Sequence, residues 1–288
     1  MWRRAKSPVP VEKREIASSV ELLQHLDERE NRLYQGEILT AGGIITSYPA
    51  AERFRMLRAK IERANLKEDR YHVLAITSGA PAEGKSLVSV NLARALSIDP
   101  SGHTLLIDCD LRKPTVHRFF HFDQAPGLSD VLNNPAMLQH AVQPGGPRLD
   151  VLPAGTPIAD PTELLERPDL PALLDQLRQQ YKYVVLDCPP ILLCSEMMAL
   201  STIVDGTILV ARAWSTPRKL VAEALNMLGK PRVLGLVIND CVDATRHYLN
   251  YGYYGYHARD VEESSPKAGN AEDAAIATAA ANSTSSRS

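Results

Sequence analysis

The feature that most constrains this chain is an eight-residue run, GAPAEGKS, from Gly79 to Ser86. It satisfies G-x-x-x-x-G-K-[ST] and lies between a short apolar run, YHVLAIT, and a helical pattern, SLVSVNLARALS. Strand, glycine loop and helix in that order are what a phosphate-binding loop requires. Gly79 and Gly84 let the backbone wrap closely round an anion, because no Cβ stands in the way. The segment Gly79, Ala80, Pro81, Ala82, Glu83, Gly84, Lys85, Ser86 and Leu87 is therefore the expected nucleotide cradle. Its amides and the positive end of the following helix face the phosphates. Lys85 reaches the β- and γ-phosphates, and the Ser86 hydroxyl suits Mg²⁺. The expected ligands are ATP, or another nucleoside triphosphate, and Mg²⁺.

The same alternation repeats downstream. HTLLIDCD, LDVLPAG, YVVLDCP, GTILVARA and RVLGLVIND read as strands, with helical stretches such as ELLERPDLPALLDQLRQQ and PRKLVAEALNMLG between them. Apolar strands alternating with amphipathic helices predict an α/β fold: a doubly wound, mostly parallel sheet with helices on both faces. The P-loop makes it an NTPase of that class. Upstream, Ile16, Val20, Leu23 and Leu26 recur at helical spacing, a Gly-containing stretch covers 36–48, and PAAERFRMLRAKIERA returns to helical periodicity. The expected division is a helical or flexible segment over 1–48, the nucleotide domain over 49–241, a tyrosine cluster over 242–260 and a disordered tail over 261–288. After Asp260 the chain is Ala, Ser, Glu and Asn, with little to bury.

A P-loop needs carboxylates to hold magnesium and manage protons. LLIDCDLRKP places Asp108 and Asp110 at the end of one strand, on one face of the extended chain. YVVLDCPP places Asp187 at the end of another, where Pro-Pro stops the strand. Ligands of open parallel sheets bind outside these carboxyl ends. Asp187, with Asp108 beside it and Ser86 in the loop, is the expected metal set. Asp110 is then free to take a proton from an incoming hydroxyl, which makes Lys85, Asp108, Asp110 and Asp187 the expected catalytic group. Arg112 and Lys113 follow; each either meets phosphate charge or is simply solvated.

Composition excludes several classes. A formal net charge of −2 gives no general pull toward nucleic acid. No apolar run approaches the ~20 residues that span a bilayer, and no apolar core follows the basic N-terminus. The expected location is cytoplasmic. Cys109, Cys188, Cys194 and Cys241 form no C-x-x-C pair and read as reduced, buried thiols. Near the C-terminus, YLNYGYYGYHARD gathers Tyr248, Tyr251, Tyr253, Tyr254 and Tyr256. Taken alone, such a tract is either an adhesive low-complexity segment or a set of phosphate acceptors.

TSGAPAEGKS, LLIDCDLRKP and VVLDCPP, in that order and spacing, resemble the three nucleotide motifs of the bacterial tyrosine kinases of capsule and exopolysaccharide biosynthesis. GLSDVL and PIADPTELL also resemble segments of that family. The resemblance implies an ATP-dependent protein-tyrosine autokinase whose C-terminal tyrosines are its substrate. It implies that Asn239, at the end of RVLGLVIND, faces the nucleotide base. It further implies that Glu52, Arg55 and Arg58, in ERFRMLR, contact a neighbouring subunit in a ring; an exposed pairing within one helix is the plainer reading of that spacing. A transmembrane chain-length regulator as activating partner, a cognate tyrosine phosphatase and a peripheral position at the inner face of the plasma membrane are implied too. Two rival functions are a positioning or partition ATPase and a non-catalytic nucleotide-dependent adaptor. The first is disfavoured because Ala80 stands where that branch has an extra lysine. The family's Asp-Ala after Pro-Pro is absent, and Glu196 is the expected substitute.

Overall fold

Val73–Ser78, Thr104–Asp108 and Tyr183–Asp187 are buried at every position, as strands covered on both faces must be. The computed structural model describes residues 37–68, 70–229 and 233–241. Its first elements are β1 (Glu37–Thr40), β2 (Gly43–Thr46), α1 (Tyr48–Glu68), β3 (Val73–Ser78), α2 (Lys85–Leu96), β4 (Thr104–Asp108), α3 (Val116–Phe120), α4 (Leu128–Asn133) and α5 (Leu138–Ala141). Then come β5 (Gln143–Gly146), β6 (Leu149–Leu152), α6 (Pro161–Leu165), α7 (Asp169–Arg178), β7 (Tyr183–Asp187), α8 (Glu196–Ile203), β8 (Gly206–Arg212), α9 (Arg218–Leu228) and β9 (Val233–Asn239).

Seven strands form one sheet in the order β5-β6-β4-β7-β3-β8-β9. All neighbours are parallel except β5, which runs antiparallel to β6 at the edge. Alternate residues feed two cores. Leu74, Ile76, Leu106 and Val185 pack with Phe54 and Ile61 of α1 and Val88 and Leu92 of α2. Val73, Ala75, Leu105, Ile107, Val184 and Leu186 pack with Leu128, Leu174, Leu200 and Leu228 from α4, α7, α8 and α9. The chain leaves β3 through α2 and returns at β4, with β7 lying between the two strands. That crossover brings the loop after β3 beside the ends of β7 and β4.

The sequence pattern showed six of the seven sheet strands, missing the edge strand β5, and did not show the hairpin. Residues 37–46, read as part of a loose segment, form β1 and β2 in an antiparallel pair. The buried Asn91 of α2 completes the ladder. Its Nδ2 donates to the Leu39 carbonyl at 2.8 Å, and its Oδ1 accepts from the Leu39 N–H at 2.8 Å. Asn91→Leu should leave both backbone groups unpaired and destabilise the fold by about 2–3 kcal/mol in chemical denaturation. The helix expected over 15–33 lies outside the described residues. The cysteine expectation divides: Cys109 and Cys188 are buried, whereas Cys194 is half-buried and Cys241, beyond the last strand, is exposed.

Just before the amino end of the central strand β7, Lys182 Nζ lies 2.5 Å from Asp99 Oδ2. Burial alone would raise the Asp99 carboxyl, but hydrogen bonds from Lys182 and Ser101 outweigh it and hold the group at about 2. A depressed acid stabilises the fold above its unfolded value near 3.9 and loses that contribution as pH falls toward 2. Asp99→Asn should therefore flatten the pH dependence of unfolding between pH 4 and 2, measured against the parent.

Candidate active site

The glycine loop closes over the end of β3 through its own side chains. Gly84 caps α2 at φ 91°, the left-handed region that favours glycine. A Cβ there would stand 1.9 Å from Asn239 Nδ2. A Cβ on Gly79 would stand 2.4 Å from Leu220 Cδ2. Glu83 is buried and braces the loop from within: its Oε2 accepts from the Ala80 N–H at 3.0 Å, and its Oε1 accepts from the Thr216 hydroxyl. Asn239 donates to the Glu83 carbonyl at 3.0 Å. The asparagine at the end of β9 thus touches the loop itself.

Lys85, the first residue of α2, is almost fully buried and faces carboxylates from two strand ends. Its Nζ lies 2.7 Å from Asp110 Oδ2 and 3.8 Å from Asp187 Oδ2. Burial would lower this ammonium, but Asp187, Asp110 and Asp108 outweigh it and raise it above its usual range. Asp108 and Asp187 are register partners on adjacent strands, both fully buried. Asp108 accepts three backbone N–H groups, from Asp110 at 3.2 Å and from Thr115 and Val116 at 3.0 Å each. Burial, together with the Asp187 carboxylate, still pushes Asp108 up to about 8. Asp187 is raised too, by burial first, against Lys85 and the Ser86 and Ser89 hydroxyls.

The donor set fits Mg²⁺. Asp187 Oδ2 is buried with no hydrogen-bond partner among the described residues, while Oδ1 accepts from Ser89 at 2.9 Å. Three buried carboxylates share one ammonium, so a divalent cation would supply the missing positive charge. No cluster of three or more His, Cys, Asp or Glu forms a ready cage among the described residues. Mg²⁺ needs none, since it is held by one or two carboxylates together with phosphate oxygens and water. Ser86 Oγ accepts from the Thr115 hydroxyl at 2.8 Å, which orients it at the mouth of the loop. The two oxygens of Asp108 are more fully engaged than those of Asp187.

Several contributors were invisible in the sequence. Thr115, Ser89, Thr216 and the partnership of Arg112 with Glu196 join segments far apart in the chain. Arg112 Nε lies 2.5 Å from Glu196 Oε1. Lys113 is exposed, and its N–H donates to Asp110 Oδ1 at 3.1 Å. In α1, Arg55 Nη2 pairs with Glu52 Oε2 at 2.6 Å, whereas Arg58 turns toward Glu62 at 3.5 Å and the Ala95 carbonyl at 3.4 Å. Glu52 and Arg55 thus make the intrahelical pair that the spacing allows. The tyrosine cluster lies outside the described residues.

A glycine loop between parallel strand and helix, beside acidic strand ends, defines a P-loop nucleotide-binding protein, and the AAA domain family model matches residues 72–215. Tyrosine-protein kinase YwqD of Bacillus subtilis is 35% identical over 208 residues, covering 71% of this chain and 86% of that protein. Tyrosine-protein kinase wzc of Salmonella typhimurium is 29% identical over 228 residues, 78% of this chain but 31% of its own length. The solved kinase domain of Escherichia coli tyrosine kinase ETK superposes with a TM-score of 0.61 at 30% identity, covering 65% of this chain and 74% of that one. The chain belongs to the bacterial tyrosine-kinase family of P-loop ATPases. No helix among the described residues is long and apolar enough to cross a membrane.

Proposed function

We propose that the protein transfers the γ-phosphoryl group of ATP to tyrosines of its own C-terminal cluster, and so regulates capsule or exopolysaccharide synthesis or export. The observation that carries this reading is the convergence of Lys85, Asp110 and Asp187 on one another beside the glycine loop. Phosphoryl transfer needs positioning and charge neutralisation more than covalent chemistry. The loop amides and Lys85 hold the phosphates. Ser86 and Asp187, with Asp108 beside them, would hold Mg²⁺, which would neutralise phosphate charge. A phenol titrates near 10 and is neutral until a base takes its proton. Asp110 accepts that proton, the phenolic oxygen bonds to the γ-phosphorus, and the bond to the bridging oxygen breaks to release ADP. Lys85 Nζ lies 2.7 Å from Asp110 Oδ2, and phosphates that draw the ammonium toward them free this carboxylate for the work.

The acceptors are Tyr248, Tyr251, Tyr253, Tyr254 and Tyr256. Each phosphate adds about −1.5 to −2 charge, beside Asp260, Glu262 and Glu263. A transmembrane chain-length regulator activates the kinase at the inner membrane face, a cognate tyrosine phosphatase resets it, and Glu52, Arg55 and Arg58 serve a ring of copies. Relatives named as tyrosine-protein kinases support the reaction class. The test is mass spectrometry of the cluster after expression of the parent and of Lys85→Ala. Phosphate on the cluster in the parent and none in the variant is expected. An unphosphorylated parent co-expressed with its membrane partner would sink the reading.

A further inference from the structure

We propose that Glu196 and Arg112 form a positioning pair that sets Asp110; its catalytic consequence rests on the kinase reading above. Asp110 stands in a turn beyond β4, closed by the Lys113 N–H, which lies 3.2 Å from the Asp110 carbonyl and 3.1 Å from its Oδ1. Leu111 is buried in the core, whereas Arg112 and Lys113 on the outer side of the turn are exposed. Arg112 supplies a second, polar anchor. Its Nε lies 2.5 Å from Glu196 Oε1, and its Nη2 donates to Thr162 Oγ1 at 3.2 Å.

Both anchor points are fixed independently of the turn. Glu196 is 1% exposed and opens α8, where Met197 and Leu200 are fully buried. Its Oε2 has no hydrogen-bond partner among the described residues, so compensation of this buried carboxylate falls to Arg112. Thr162 lies in the first turn of α6, whose cap Asp160 accepts from the Thr162 N–H at 3.0 Å and the Glu163 N–H at 3.3 Å. One guanidinium, two residues from the proposed base, therefore ties the loop after β4 to the elements that follow β6 and β7. A proton acceptor must be held within about 0.5 Å of its working position. The staple provides that restraint from outside the phosphate loop, since among the described residues its hydrogen bonds and ion pair run between Arg112, Glu196 and Thr162.

The experiment compares the full-length parent with Arg112→Ala, Glu196→Ala, Glu196→Gln and the double variant Arg112→Met/Glu196→Leu. The double variant removes the buried charge with its partner and guards against simple misfolding. Hydrogen–deuterium exchange of the nucleotide-free protein should show residues 110–116 exchanging about tenfold faster in the Ala and double variants, with β7 and β8 unchanged. Glu196→Gln keeps an acceptor for Nε and should recover most of the protection. In phosphotyrosine assays the same Ala variants should lose about tenfold in kcat with KM for ATP within twofold. Unchanged exchange over 110–116, or acceleration spread evenly over the sheet, overturns the proposal. So does a rise in the KM for ATP in place of a fall in kcat. Exchange is read without turnover, so a parent that makes no phosphotyrosine would refute the kinase reading while this pair is still decided.

Discussion

Asp187→Asn is expected to lose phosphotyrosine formation by about 10²–10³-fold, the range found when one preorganised charge-stabilising group is removed, while remaining at least as stable as the parent. The two halves share one cause. Asp187 is fully buried, one strand from Asp108, and its Oδ2 accepts no hydrogen bond among the described residues, with Lys85 Nζ 3.8 Å away. Its raised carboxyl means that the fold opposes the ionised form. At neutral pH ionised Asp187 therefore costs stability, and a neutral amide of the same shape relieves the cost of burying charge and the repulsion from Asp110. The amide oxygen can still accept from Ser89, but the site loses the charge that fits Mg²⁺. Denaturation without nucleotide or metal, beside a phosphorylation time course, reads both. A variant that loses stability in step with activity would show Asp187 to be a structural residue.

Gly84→Ala should act through the opposite balance, losing both stability and nucleotide. A methyl group here meets φ 91° and an Asn239 nitrogen at 1.9 Å. Left-handed backbone at a non-glycine costs about 1–3 kcal/mol. Asn239 must also leave the Glu83 carbonyl, which holds the loop shut. Calorimetric titration with ATP should show affinity reduced by more than tenfold, and thermal unfolding should move several degrees down. Ala82 also occupies a left-handed position, at φ 62°, so it is the clash as well as the conformation that sets Gly84 apart. Unchanged ATP affinity in Gly84→Ala would remove Asn239 from the loop's support.

What could be read from the sequence followed locality. The P-loop and the strands β3, β4 and β7 were legible because a glycine loop is contiguous and because strands buried on both faces leave unbroken apolar runs. The carboxylates were legible by position, since Asp108, Asp110 and Asp187 each lie at or just beyond a strand's carboxyl end. The hairpin was not. Its outer residues Ile44, Ile45 and Thr46 are exposed, and its ladder is completed by a side chain 52 positions away. Gln143–Gly146 escaped notice because Pro and two glycines suppress a strand signal, and only an edge position tolerates them. Thr115, Thr216 and the Arg112–Glu196 pair were hidden for the same reason: they join loops through space. The roles expected of Glu52, Arg55, Arg58 and Asn239 came from the resemblance, since no periodicity could suggest them.

The most direct measurement follows a label on the γ-phosphate of ATP through one turnover, with the cytoplasmic segment of the proposed membrane partner present. Label on Tyr248–Tyr256, absent in Lys85→Ala and Asp110→Asn, is the predicted result. Label recovered entirely as inorganic phosphate, or retained in intact ATP, would contradict the account.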